Sequence, residues 1–181
     1  LEEYLHSYIS VLPYNELGAA AAAYNADEKE LCRLDEIYSA VKTPFEIRSG
    51  LEKVTRRFFK ICNNGRESFT GLYKSLTEQG ICKGHQCIAY GLYMRDNGIE
   101  LSEGLAVYGY SICSAIVTNC VKLVPLSQLA GQKILGESFE LISSASEKAL
   151  FTDINDIGIS GAGFDLRAMQ HERLYSRQYM S

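Results

Sequence analysis

Cys82-Lys83-Gly84-His85-Gln86-Cys87 places two thiols and an imidazole close together in the chain. Thiolate and imidazole are ligands for zinc or nickel. The spacing is not that of a standard finger, and no second Cys/His pair follows to complete four ligands. His6 and His171 lie far off in sequence. The competing reading is structural: Cys87 faces a core, Cys82 sits in a loop, and His85 opens a helix. That reading is favoured, with metal binding through Cys82, His85 and Cys87 as the alternative. Other chemistry finds little support. There is no G-x-S-x-G elbow for a nucleophilic serine and no G-x-x-x-x-G-K-[ST] loop for nucleotide phosphates. The glycines between Gly158 and Gly163 have the wrong order for a dinucleotide fingerprint. Asp35 and Glu36, and Asp153 and Asp156, read as ordinary solvated charge. A chain with no visible active site and no implied cofactor favours a scaffold or adaptor.

Composition narrows the class further. The 181 residues are 46% hydrophobic and 22% charged, as in an ordinary globular domain. The net charge of -4 disfavours nucleic acid, whose phosphates require excess Lys and Arg. Six cysteines (Cys32, Cys62, Cys82, Cys87, Cys113 and Cys120) are scattered among apolar residues. That pattern suits buried thiols in a reducing, cytoplasmic compartment better than a disulfide framework. The apolar stretch Leu105 to Leu126 is interrupted by Gly109, Asn119, Lys122 and Pro125 and is expected to fall short of a membrane span. Leu1-Glu2-Glu3-Tyr4 has no signal-peptide features and opens in helical phase without Met, so a preceding segment is expected outside this sequence.

The elements that must position these residues are helices. Leu1, Leu5, Tyr8 and Leu12 share one helical face, ended by Pro13. Glu16 to Ala26 contains the run Ala19 to Ala23, with strong helix propensity. Asp27 and Glu30 have capping-box spacing before Leu31, Leu34, Ile37 and Val41. Thr43-Pro44-Phe45-Glu46 predicts another start, with Thr43 as cap and Glu46 reaching back. The helix that follows is expected to bury Leu51, Val54, Phe58 and Ile61 and to stop at Asn63-Asn64-Gly65. Further helices are predicted through Phe69, Leu72 and Leu76, from about His85 to Arg95, and from Ser102 to about Lys122. Pro125 must break or kink the last of these. Helix then resumes through Leu126, Leu129, Ile134, Leu135 and Phe139 to about Lys148. No hairpin pattern is evident. The fold class is therefore all-α: a single-domain multi-helix bundle over 1–157 with a long Pro-kinked helix, followed by a Gly-rich linker and tail over 158–181.

Two stretches stand out. Around Pro125, polar Lys122, Ser127, Gln128 and Gln132 surround the expected discontinuity, with Gly131 close by. The Gln side chains could satisfy freed carbonyls, or the stretch could form a polar groove or dimer seam, Gly131 letting a backbone approach. The tail from Phe164 to Ser181 is rich in Arg, Tyr and Met, types enriched at interfaces. It reads equally as a terminal helix docked on its own core or as a partner-docking segment.

At these two stretches the sequence resembles a known family. Asn119-Cys120-Val121-Lys122-Leu123-Val124-Pro125-Leu126-Ser127-Gln128, with Gly131-Gln132-Lys133-Ile134-Leu135, is similar to the signature of the UreF family of urease accessory proteins. Met169-Gln170-His171-Glu172, Leu174-Tyr175-Ser176-Arg177 and Tyr179-Met180-Ser181 resemble that family's tail. Softer matches are Glu46-Ile47-Arg48, Arg56-Arg57-Phe58, His85 with Ala89-Tyr90-Gly91, and Gly98-Ile99. The family's usual F-P-x-G-S segment and G-L-E-T helix are not present before Leu1. The resemblance implies an all-α, non-enzymatic homodimer in the cytoplasm. It implies binding to the UreD-type (UreH-type) accessory protein and to the GTPase UreG, whose GTP hydrolysis it would regulate, and delivery of nickel to apo-urease. Under it, Arg167, Met169, Gln170, His171, Tyr175, Arg177 and Tyr179 are expected at the partner interface. Lys122, Pro125, Gln128, Gly131 and Gln132 are expected near a dimer or GTPase-facing surface.

Overall fold

The computed structural model describes residues 1–62, 65, 67–159 and 161–175. These form α1 (Glu2–Val11), α2 (Glu16–Asn25), α3 (Glu28–Val41), α4 (Phe45–Ile61), α5 (Phe69–Glu78), α6 (Gln86–Asp96), α7 (Leu101–Leu123), α8 (Gln128–Glu137), α9 (Phe139–Ala149) and α10 (Ala162–His171). Short 3-10 turns lie at Leu12–Tyr14 and Ile154–Asp156, and the described residues contain no strand. The all-α single-domain bundle expected from periodicity is what forms.

Two helices make its centre. α2 and α6 are the most extensively packed pair. Neither is strongly one-sided: α2 buries Leu17, Gly18, Ala19, Ala20, Ala21 and Ala23, while α6 buries Cys87, Ile88, Ala89, Gly91, Leu92 and Met94. A helix apolar on most sides belongs inside the bundle. Small residues let the two backbones close up. A Cβ on Gly91 would lie 2.2 Å from the carbonyl oxygen of Ala20. The amphipathic helices lie around this centre: α3 buries Leu31, Leu34 and Tyr38 and packs on α2, and α1 buries Leu5 and Ile9 and packs on α7 and α9. The capping box at Asp27 forms: its Oδ1 accepts from the Glu30 N–H at 2.8 Å and Glu30 Oε2 accepts from the Asp27 N–H at 3.0 Å.

Several local expectations change. The buried face of α4 is turned by one residue: Thr55 and Phe59 are buried, Leu51 and Phe58 half-buried, and Ile61 is 82% exposed. α4 has no cap from Thr43, whose hydroxyl turns back to the Val41 carbonyl, and Pro44 occupies the cap position without a side-chain bond. The helix expected to be kinked at Pro125 is broken instead. α7 ends at Leu123, and Val124 is extended at φ -120°, ψ 156°. The residue before a proline is driven out of helical conformation by the ring, so the chain stops rather than bends. The single helix expected from Leu126 to Lys148 is two, α8 and α9, divided at buried Ser138. The hydroxyl of Ser138 donates to the Ile134 carbonyl at 2.8 Å, competing with continued helix geometry. Finally, α7 is long and apolar enough by composition to cross a membrane, contrary to expectation, and here it packs on α1, α2, α8 and α9.

Candidate functional site

The chain from Cys82 to Cys87 leads into α6. Cys82 points at Cys32, with the sulfurs 3.9 Å apart, whereas Cys87 is buried in the core. His85 is 1% exposed, and its Nε2 lies 2.7 Å from Ser39 Oγ. Among the described residues no three His, Cys, Asp or Glu side chains converge to hold a metal. Burial pushes the Cys87 thiol up to about 12 and raises Cys82 well above its ordinary range, so both are poor thiolate donors. All six cysteines are free thiols.

The organising residue of this loop is Asp35, expected from sequence to be solvated charge. It is 2% exposed. Its carboxylate accepts from the Lys83 N–H at 2.7 Å, the Gly84 N–H at 3.1 Å and the Tyr73 hydroxyl at 2.5 Å. That hydroxyl in turn accepts from the His85 N–H at 2.8 Å. A buried carboxylate is tolerable only when so paired. Its place in α3, one residue after core Leu34, gives no hint of this, because its partners are some 40 residues away and more.

The tail forms a second constellation. α10 lies on α1 and α4. Phe164 meets the rings of Tyr4 and Tyr8 edge-on, at centroid distances of 5.3 and 5.7 Å. Glu172 Oε1 accepts from the N–H of Phe45 at 2.9 Å and of Glu46 at 3.4 Å, supplying the cap that Thr43 does not. A carboxylate there also suits the positive end of the α4 dipole. His171 Nδ1 lies 2.7 Å from Glu46 Oε2, so Glu46 reaches the tail rather than back along its own helix. An apolar cleft of about 560 Å³ runs between Tyr4, Tyr8 and Ile47 on one side and Phe164, Arg167 and Ala168 on the other. Arg167 is exposed and bonds Gln170 at 3.0 Å; Gln170 is exposed, Met169 and His171 are half-buried, and Tyr175 is fully exposed. Arg177 and Tyr179 lie outside the described residues. No residue of α10 is buried.

The glycine-rich approach to this helix is more fixed than its composition suggests. Gly158 has φ +101°, donates its N–H to the Tyr14 carbonyl at 2.7 Å, and lies so close to Val41 that a Cβ would come within 2.4 Å. Asn15 Nδ2 donates to the Ile159 carbonyl at 3.2 Å, and Asn15 Oδ1 accepts from Lys42 Nζ at 3.1 Å. Lys42 also pairs with Glu16 at 2.9 Å, both side chains being mostly buried.

At the break, Ser127 caps α8, its hydroxyl accepting from the Ala130 N–H at 3.1 Å. Lys122, Pro125, Gln128 and Gln132 are exposed together. Gly131 is buried against α7 of the same chain, where a Cβ would lie 2.7 Å from Val121 Cγ2. Leu123, Val124 and Leu129 leave apolar surface beside these polar groups. On the neighbouring face, Val107, Tyr110 and Phe139 surround a shallow apolar cleft of about 300 Å³.

A helical chain with a Pro-broken α7–α8 junction and a lightly attached tail helix has clear relatives. The UreF family model matches residues 1–138. The urease accessory protein UreF of Actinobacillus pleuropneumoniae serotype 5b (strain L20) is 32% identical over 187 aligned positions, covering 100% of this chain and 82% of the relative. The UreF of Streptococcus thermophilus (strain ATCC BAA-491 / LMD-9) is 26% identical, covering 99% and 78%. That of Paenarthrobacter aurescens (strain TC1) is 30% identical, covering 82% and 67%. By the extent of the family match and the identity to these relatives, the chain belongs to the UreF family.

Proposed function

We propose that the chain is a cytoplasmic, non-enzymatic urease-maturation adaptor that bridges the UreD/UreH-type accessory protein and the GTPase UreG. In that role it supports GTP-dependent nickel insertion into apo-urease, and nickel is cargo for the assembly. The urease accessory role follows from the family; the bridging is our reading. The observation that carries it is the attachment of α10. Its contacts include two edge-on aromatic pairs, one cap and one His–Glu contact, and none of its residues is buried. An element held by few buried contacts opens at low cost. Its exposed Arg167 and the adjacent Tyr175 are residue types that anchor interfaces. The tail can therefore exchange its own α1–α4 seat for a partner. Homodimerisation is supported by the apolar surface around Val107, Tyr110 and Phe139 and around Leu123, Val124 and Leu129. Such surface calls for a cover.

Light scattering after size exclusion tests the reading. Mixed with the UreD-type partner, the chain should elute as a complex with two copies of each, and UreG should add to it. Deleting residues 162–181 should abolish the first complex; unchanged partner affinity would refute the tail assignment. Lys122→Ala with Gln128→Ala should weaken dimerisation or UreG recruitment. Intact assembly and intact urease activation in that variant would remove the break from the interface.

A further inference from the structure

The groove between α4 and α5 has no part in the reading above. It encloses about 420 Å³ and is lined by Arg56, Phe59, Lys60, Lys74, Thr77 and Glu78. Three of those six residues are cations and one is a carboxylate, in a chain whose net charge is -4. Arg56 and Lys60 stand one turn apart on α4, about 6 Å along the axis, and Lys74 faces them from α5. Among the described residues, their charges are only loosely neutralised. Arg56 meets Glu52 at 3.9 Å and Lys74 meets Glu78 at 4.0 Å, the outer limit of an ion pair, with side chains well exposed. Pairs of this kind contribute little and exchange readily. The floor is apolar, provided by buried Phe59.

We propose that this groove docks an acidic amphipathic helix of a partner protein. Carboxylates four residues apart on such a helix have the same one-turn period as Arg56 and Lys60. An apolar residue between them would meet Phe59, the usual arrangement of a helix laid in a groove. A polyanion fits less well. Glu52 and Glu78 at the rim and the negative chain as a whole repel a continuous run of phosphates, whereas a helix can space its charges around them.

The test uses the whole chain and a fluorescein-labelled peptide helix carrying Glu at i, i+4 and Leu between, with a Lys-for-Glu peptide as control. Anisotropy at low salt should show binding of the Glu peptide only. Arg56→Glu with Lys60→Glu should weaken it at least about tenfold, because like charges now face each other. Arg33→Glu, a reversal at an exposed site on α3, should leave it within about twofold. Circular dichroism checks folding, and Arg56→Gln with Lys60→Gln replaces the reversal if that variant is unfolded. No binding of the Glu peptide, equal weakening by Arg33→Glu, or unchanged affinity in both groove variants would overturn the proposal. So would inorganic polyphosphate that binds more tightly than the peptide and loses its affinity in the same variants, since the groove would then be a phosphate site.

Discussion

Asp35 shows how much one buried side chain can organise. Its carboxylate holds two backbone N–H groups and the Tyr73 hydroxyl, and through Tyr73 it reaches the first turn of α6. In Asp35→Asn one acceptor oxygen becomes an NH₂ that faces donors. The substitution should cost about 1–3 kcal/mol, the range for leaving buried groups unsatisfied, read as a lower midpoint in urea. His85 sits beside this network in the neutral form. Burial lowers its affinity for a proton, and Asp35 only partly opposes that. Its Nδ1 is buried without a partner, so a proton there would have no acceptor. The folded pKa is thus below the unfolded one, near 6.5. Above that pH the residue is neutral in both states and has no effect. As the pH falls through it, the unfolded chain takes up the proton first and stability declines, by at most about 1.4 kcal/mol per pH unit. Urea melts between pH 7.5 and 5.5 should show a steeper loss in the parent chain than in His85→Gln.

At the scale of elements, helix starts divide into those capped locally and those capped from afar. α3 and α8 are capped by Asp27 and Ser127, both beside the helices they cap. α5 has its own Ser68, but Asp96 at the end of α6 also accepts from the N–H groups of Phe69 and Thr70, each at 2.9 Å. α4 depends on Glu172. Sequence spacing finds the first kind and misses the second, because a remote cap obeys no fixed interval. Close packing behaves similarly. Gly91 and Gly50 are both helical, yet a Cβ on Gly91 would strike Ala20, whereas Gly50 has nothing within 4 Å. Gly91→Ala should therefore lose about 1–3 kcal/mol by overpacking the α2–α6 contact. Gly50→Ala should gain about 0.5–1 kcal/mol from helix propensity. Thermal melts of the two variants should shift in opposite directions, and a shared sign would contradict this account of the core.

Across the whole molecule, stability is concentrated in α2, α6 and the helices around them, and declines toward the tail. The core runs from Leu5 to Ile157. α10 contributes no buried residue to it. Removing residues 162–181 should accordingly lower the melting temperature by no more than about 8 °C, about 2 kcal/mol for a chain of this size, the cost of the Glu172 cap and the Phe164 contacts. Differential scanning calorimetry of the shortened chain checks this, and a large drop would make the tail part of the fold. A tail that is dispensable for folding is free to serve assembly. The same gradient explains why apolar surface can remain on α7, α8 and α9: the interior is already complete without it.

What the sequence determined by itself was carried by its strongest local patterns. Helical periodicity, the stop at Pro13, the capping box at Asp27, the discontinuity at Pro125 and the family motifs around it are all local patterns, and they sufficed for the all-α class. Only the tertiary structure decided which face of α4 is buried and that Asp35 is a hub instead of solvated charge. It also decided that the tail's Glu172 and His171 close on α4, and that Arg56, Lys60 and Lys74 share a groove. Each of these depends on groups brought together from distant parts of the chain, at distances set by how the helices pack. Backbone preferences act over about four residues and carry no information about such encounters.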